Sequence, residues 1–183
     1  MKPRRYTAPA MLIHWAQAAV VLWLLWRGWS MIDLPKGAER TAAYGLHKSW
    51  GLVALGLIGL RILWRRSHPP PPVLSGGFEA AIARADHHAL YGLMLIAPLA
   101  GVVASQFTPY ALKFFGLEFP KLGWPDEAIN GVFKAVHVYS AWAIAGLVGL
   151  HVAGALKHAI QRDGTTMLMK RGSRLNACCT NRW

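Results

Sequence analysis

The sequence predicts an all-α fold, a bundle of four transmembrane helices with both termini cytoplasmic. Three observations predict it. Four apolar stretches each reach or exceed the roughly 20 residues that a helix needs to cross a bilayer. The composition of the 183 residues is that of a membrane chain: 54% hydrophobic, nine tryptophans and a mean hydropathy of +0.28. The basic residues divide unequally between the two faces that alternating spans create.

The first stretch covers residues 10–29, the second 45–64, the third 87–107 and the fourth 132–160. In each, a helix satisfies every backbone polar group internally, as hydrocarbon requires. The basic start before the first stretch (Lys2, Arg4, Arg5) resembles a signal peptide. The apolar run nevertheless continues to Trp26, His14 and Gln17 interrupt it, and Trp29-Ser30-Met31 is a poor cleavage site, so the stretch reads as a retained span. Pro98 lies inside the third stretch and is expected to kink it. Glycines recur in the second (Gly51, Gly56, Gly59) and fourth (Gly146, Gly149, Gly154), where helices or a flat cofactor could approach closely.

The connections are polar and turn-rich. The prolines at residues 69–72 suggest a stiff extended linker. The longest loop, residues 108–130, holds Pro109, Pro120, Pro125 and several aromatics and is expected to form a short cap on the membrane. Residues 1–172 read as one membrane domain and residues 173–183 as a cytoplasmic tail without fixed structure. The tail carries Cys178 and Cys179, whose adjacency excludes a disulfide framework or a zinc spacing.

Net charge is +12. In a water-soluble chain such a charge would point to nucleic acid, but with four spans it reports topology. Thirteen of the 20 basic residues fall on the face shared by the two termini, which places both termini in the cytoplasm.

Four histidines, His14, His47, His137 and His151, lie in the spans at positions that can pair, where ionisable groups are costly and are functional candidates by default. His137 and His151 are fourteen residues apart on one stretch. Fourteen steps of about 100° return to within roughly 40° of the starting direction, and climb roughly 21 Å. One imidazole therefore sits near each membrane surface, on one helix face. The alternation of spans puts His14 near the inner surface and His47 near the outer. Depth then pairs His14 with His151, and His47 with His137. A lone membrane histidine is commonly a helix-packing hydrogen bonder, whereas four at two matched depths favour metal ligation.

Two imidazoles per level, with no deep carboxylate or cysteine, are too few for a zinc or copper site. A planar macrocycle supplies four equatorial ligands and leaves two axial positions, so the pairs point to two haem irons. No Cys-x-x-Cys-His occurs, so these would be non-covalent b haems. With both axial positions filled, electron transfer is the natural task.

Other residues are secondary candidates. His158 follows His151 by seven and could deliver protons to a quinone, or be a solvated interfacial histidine. Arg61 could pair with a haem propionate or snorkel to lipid phosphate. His87 and His88 open the third stretch, and His68 reads as a loop residue. Lys48, Lys134 and Arg27 cluster near the outer pair. They could draw in a small anion, neutralise propionates or anchor to lipid.

Ile13-His14-Trp15, His47, Arg61 before Arg65-Arg66, His87-x3-Tyr91 with Pro98-x2-Gly101, and His137 with His151 together resemble the bacterial cytochrome b561 family over residues 6–170. The resemblance implies a four-helix inner-membrane protein holding two b haems through histidines of the first, second and fourth helices. It further implies either of two tasks. One is oxidation of superoxide at the periplasmic side with reduction of ubiquinone. There the cluster around Lys134 and Lys48 would guide the anion, and His158, with the cytoplasmic end of the fourth helix, would lie near the quinone. The other is service as a cytochrome subunit linking a periplasmic dehydrogenase or soluble cytochrome to the quinone pool. His87 belongs to the motif set and is carried as a cofactor-binding candidate. The tail from Ser173 does not resemble the family. A transporter or scaffold without cofactor is a third class, excluded if the purified protein shows a b-type spectrum.

Overall fold

The computed structural model describes residues 6–69 and 77–161. The tail with Cys178 and Cys179, the terminal basic residues and most of the proline run lie outside the described residues. Four helices follow in order: α1 (Ala8–Ser30), α2 (Ala38–Ser67), α3 (Gly77–Gln106) and α4 (Glu127–Gln161), with a small hairpin, β1 (Lys113–Phe114) and β2 (Leu117–Glu118), between α3 and α4. All four helices are long and apolar enough to cross a membrane. The fold is the expected all-α bundle.

Each helix begins where its local chemistry allows. The Thr7 hydroxyl caps α1 by accepting from the Ala10 amide, and Pro9 occupies the first turn, where no intrahelical donor is lost. Asp126 caps α4 by accepting from the Ile129 amide at 2.9 Å. The helices start before the apolar stretches, most of all α3, which starts ten residues before His87. Residues 77–86 are too polar to stand out by hydropathy, yet four of them are alanines, the strongest helix formers, and they continue the helix beyond its apolar part. α3 also runs on through Pro98.

Sequential helices are antiparallel neighbours. The Trp64 indole donates to the Thr7 hydroxyl, tying the end of α2 to the start of α1. The Lys157 ammonium meets Glu79 at 2.6 Å, tying the end of α4 to the start of α3. At the opposite end, the Asn130 amide donates to the Ala104 carbonyl at 2.7 Å. The bundle thus has a terminal end, holding the start of α1 and the end of α4, and a hairpin end.

Val21 of α1, Ala97 of α3 and Ile144 of α4 form a buried cluster, extended by Leu25, Leu93, Met94 and Val148. Large apolar side chains cover the outside, among them Leu12, Trp26, Leu63, Tyr139, Val152 and Leu156. Such a surface is stable against lipid and not against water.

The long loop is a tethered hairpin. Lys113 pairs with Glu118 and Phe114 with Leu117, around a turn in which Phe115 (φ 46°) and Gly116 (φ 97°) are both left-handed. The Phe115 amide donates to the Ser49 hydroxyl at 2.9 Å, and Trp50 meets the Phe115 ring edge-on, so the hairpin is moored to α2 beside His47. Gly123 is required by close approach, since a Cβ there would lie 2.9 Å from the Gln106 carbonyl oxygen.

Candidate functional site

Three helices carry the site in steps of seven. Seven residues turn a helix by about 700°, within roughly 20° of two full turns, so such residues stack on one face. α1 presents His14, Val21 and Gly28; α2 presents His47, Ala54 and Arg61; α4 presents His137, Ile144, His151 and His158. Val21, Ala54 and Ile144 are buried and form an apolar middle layer. His14, Arg61 and His151 stand on its terminal side, and Gly28, His47 and His137 on its hairpin side.

The His14 and His151 ring centres lie 6.3 Å apart at an interplanar angle of 63°. Those of His47 and His137 lie 6.0 Å apart at 89°. Two imidazoles bound to opposite sides of one metal ion have a predictable spacing. A metal–nitrogen bond of about 2.0–2.1 Å, plus roughly 1.1 Å from each nitrogen to its ring centre, gives about 6.3 Å between centres. Both pairs fit that distance. His87 is nearer to His151, at 5.1 Å edge-to-face, which is too close for the two to share a metal between them.

One ring of each pair is held through Nδ1. His137 donates to the Ala97 carbonyl at 2.8 Å, and His151 to Asp86 Oδ2 at 3.1 Å. These bonds fix the tautomer and direct Nε2 away from α3, as in metal-ligating histidines generally. His14 Nδ1 and His47 Nδ1 are buried without a hydrogen-bond partner among the described residues. Orphaned buried nitrogens in a native protein mark a place that takes a further group. Among the described residues, no cluster of three or more His, Cys, Asp or Glu side chains converges on a metal ion. The donor set therefore fits a metal that brings its own equatorial ligands, as haem does.

Glycines make room for the hairpin-end rings. A Cβ at Gly101 would lie 3.0 Å from His137 Nδ1, and one at Gly28 would lie 3.2 Å from His47 Cε1. The glycines expected to let helices or a flat cofactor approach, at positions 51, 56, 59, 146, 149 and 154, would each meet nothing within 4 Å among the described residues.

The remaining candidates are spread out. The Arg61 and Arg65 guanidiniums lie over the Tyr91 ring, at 5.1 and 5.4 Å from its centre. Beside them Ile62, Arg65, Arg66, His87, His88 and Tyr91 line an open cleft of about 340 Å³. His87 donates to the Ala83 carbonyl at 2.5 Å and His88 to that of Arg84 at 2.7 Å. His158 is half-buried two turns beyond His151; Lys48 is half-buried and Lys134 exposed. His68 stacks on Trp64 at the end of α2.

Sequence reasoning missed Asp86. The expectation of no deep carboxylate fails there, since its side chain is 5% exposed and bonded to His151. A single acid immediately before the apolar stretch was the available signal, and it fell one residue outside the assigned span. The backing of His137 by a main-chain carbonyl and the mooring of the hairpin by Ser49 have no residue-type signature.

The family model of prokaryotic cytochrome b561 matches residues 5–172. Cytochrome b561 homolog 2 of Escherichia coli (strain K12) is 30% identical over 172 residues, covering 91% of this chain and 92% of that protein. The matched region contains all four helices, both imidazole pairs and the residues behind them. The chain belongs to the prokaryotic cytochrome b561 family, multi-pass membrane proteins that bind b-type haem and transfer electrons across the membrane.

Proposed function

We propose that this chain holds two b haems, one between His47 and His137 at the hairpin end and one between His14 and His151 at the terminal end. It takes electrons one at a time from superoxide and passes two of them, one after the other, to each ubiquinone. The observation that carries this reading is the spacing of the two imidazole pairs, 6.3 and 6.0 Å, at the two ends of one bundle. The basic-residue asymmetry supports an inner-membrane topology with the terminal end in the cytoplasm.

When bound, haem supplies one-electron redox chemistry at each level. The protein does the rest. His14 with His151, and His47 with His137, would hold the two haem irons, and the Ala97 carbonyl and Asp86 orient two of these rings. Val21, Ala54, Ala97 and Ile144 exclude water between the levels. Lys48 and Lys134, with Arg27, provide a cationic approach for an anion at the hairpin end. Two superoxide anions each lose one electron and leave as dioxygen. Ubiquinone gains the two electrons and two protons to become ubiquinol, with His158 delivering protons from the cytoplasm. Arg61 and His87 border the terminal-end haem, Arg61 as a partner for a propionate.

A second reading makes the chain an electron-transfer subunit linking a periplasmic dehydrogenase or soluble cytochrome to the quinone pool. The exposed Tyr110, Leu117, Leu122 and Trp124 around the hairpin favour it as a docking surface.

Purified protein supplied with generated superoxide and a ubiquinone analogue separates the two. The first reading predicts fast haem reduction and quinol formation. Both should slow as ionic strength rises and in Lys134→Gln, and both should be lost in His47→Ala. Haem that superoxide does not reduce, in protein that co-purifies with a redox partner, would overturn it in favour of the second.

A further inference from the structure

The two imidazole levels differ in what stands behind the tethered ring. His137 gives its Nδ1 proton to a neutral acceptor, the Ala97 carbonyl, at 2.8 Å. His151 gives its own to a carboxylate, Asp86 Oδ2, at 3.1 Å. Asp86 lies on α3, and its second oxygen, Oδ1, is buried with no hydrogen-bond partner among the described residues. Its one side-chain hydrogen bond among the described residues is to the His151 imidazole, with the His87 ring beside that pair.

A carboxylate on the far nitrogen of an imidazole makes the near nitrogen a stronger donor to a metal. Stronger donation and an added negative charge both stabilise ferric over ferrous iron, so hydrogen bonding behind an axial ligand is a lever on reduction potential. We infer that Asp86 holds down the reduction potential of the terminal-end haem, a tuning that the hairpin-end haem lacks. Asp86 acts through His151, as a positioning residue of the electron path. The lower potential favours electron release to the acceptor at that end. The inference rests on the proposal that His151 is an axial ligand.

The test is equilibrium redox titration of the purified holoprotein, followed optically and by electron paramagnetic resonance. Asp86→Asn keeps an acceptor oxygen and the side-chain shape but removes the charge. Its expected result is unchanged haem content and a rise in potential of the component that His151→Ala removes. At fixed ambient potential, the ferrous-to-ferric ratio of that component should increase about tenfold, the scale of exchanging a charge-assisted hydrogen bond for a neutral one. The g-values of the same low-spin signal should shift, while the other component stays put. Asp86→Glu, which keeps the charge, should titrate as the wild type does. Wild-type potentials in Asp86→Asn would overturn the inference and leave the ligand assignment standing, provided His151→Ala still removes one component. A rise in Asp86→Glu equal to that in Asp86→Asn would assign the effect to packing and also overturn it. Retention of both haems in His151→Ala would remove the ligand assignment, and the inference with it.

Discussion

The terminal and hairpin ends of this bundle solve one problem with different materials. Each sets two imidazoles from separate helices about a metal-sized distance apart. At the terminal end the supporting groups are ionic and aromatic: Asp86 behind His151, His87 against its edge, and Arg61 and Arg65 over Tyr91. At the hairpin end the His137 ring is backed by a neutral group, the Ala97 carbonyl, with Gly101 and Gly28 beside the rings and the cations Arg27 and Lys48 near His47. Helix periodicity therefore sets where the imidazoles meet, and the surroundings set how each level behaves. A neutral support leaves the hairpin end sensitive to volume, and a charged support leaves the terminal end sensitive to electrostatics.

The largest effect should come from removing a ring. His14→Ala or His151→Ala should abolish one spectral component, and His47→Ala or His137→Ala the other, read by haem quantification and the reduced-minus-oxidised spectrum. Loss of the same component from both ends would break the comparison. Next is volume at the hairpin end. Gly101→Val puts atoms where His137 Nδ1 now lies and should displace the ring, at a cost on the order of 1–3 kcal/mol typical of overpacking. The hairpin-end component should be lost or turn high-spin, with the terminal-end component unaffected. Gly28→Ala, with its looser 3.2 Å contact, should produce a weaker version of the same change.

The fold was legible because it repeats. Apolar length marked four spans, and a step of fourteen along the fourth set His137 and His151 on one face. What stayed hidden depends on long-range contact. Asp86 and His151 are 65 residues apart, and Ser49 is 66 residues from the Phe115 amide it accepts from. No local pattern announces either pair. The hairpin was missed because its strands are two residues each, and Phe115-Gly116 is a weaker turn signal than Asn-Gly. The start of α3 was missed because alanine promotes helix without raising hydropathy much.

The smaller predictions concern that hairpin. Ser49→Ala removes the acceptor of the Phe115 amide, a loss of about 0.5–1.5 kcal/mol. It should raise the protease sensitivity of residues 110–124, with both haem components retained. The smallest effect is at Glu118, whose carboxyl is held below its ordinary range by the hydrogen bond and the charge of Lys113, 2.7 Å away. A depressed folded pKa contributes stability above the unfolded carboxylate value and loses it as pH falls through the folded value. Lys113→Gln should raise the Glu118 titration midpoint, measured by nuclear magnetic resonance, and leave the haem spectrum as it was.

The most direct test of the central claim is the haem-to-protein ratio of the purified wild-type chain. Two imidazole pairs, each at the spacing of a shared metal, predict two b haems per chain. A ratio of one, in protein from haem-replete cells, would contradict the assignment of one of the pairs, and colourless protein would contradict both.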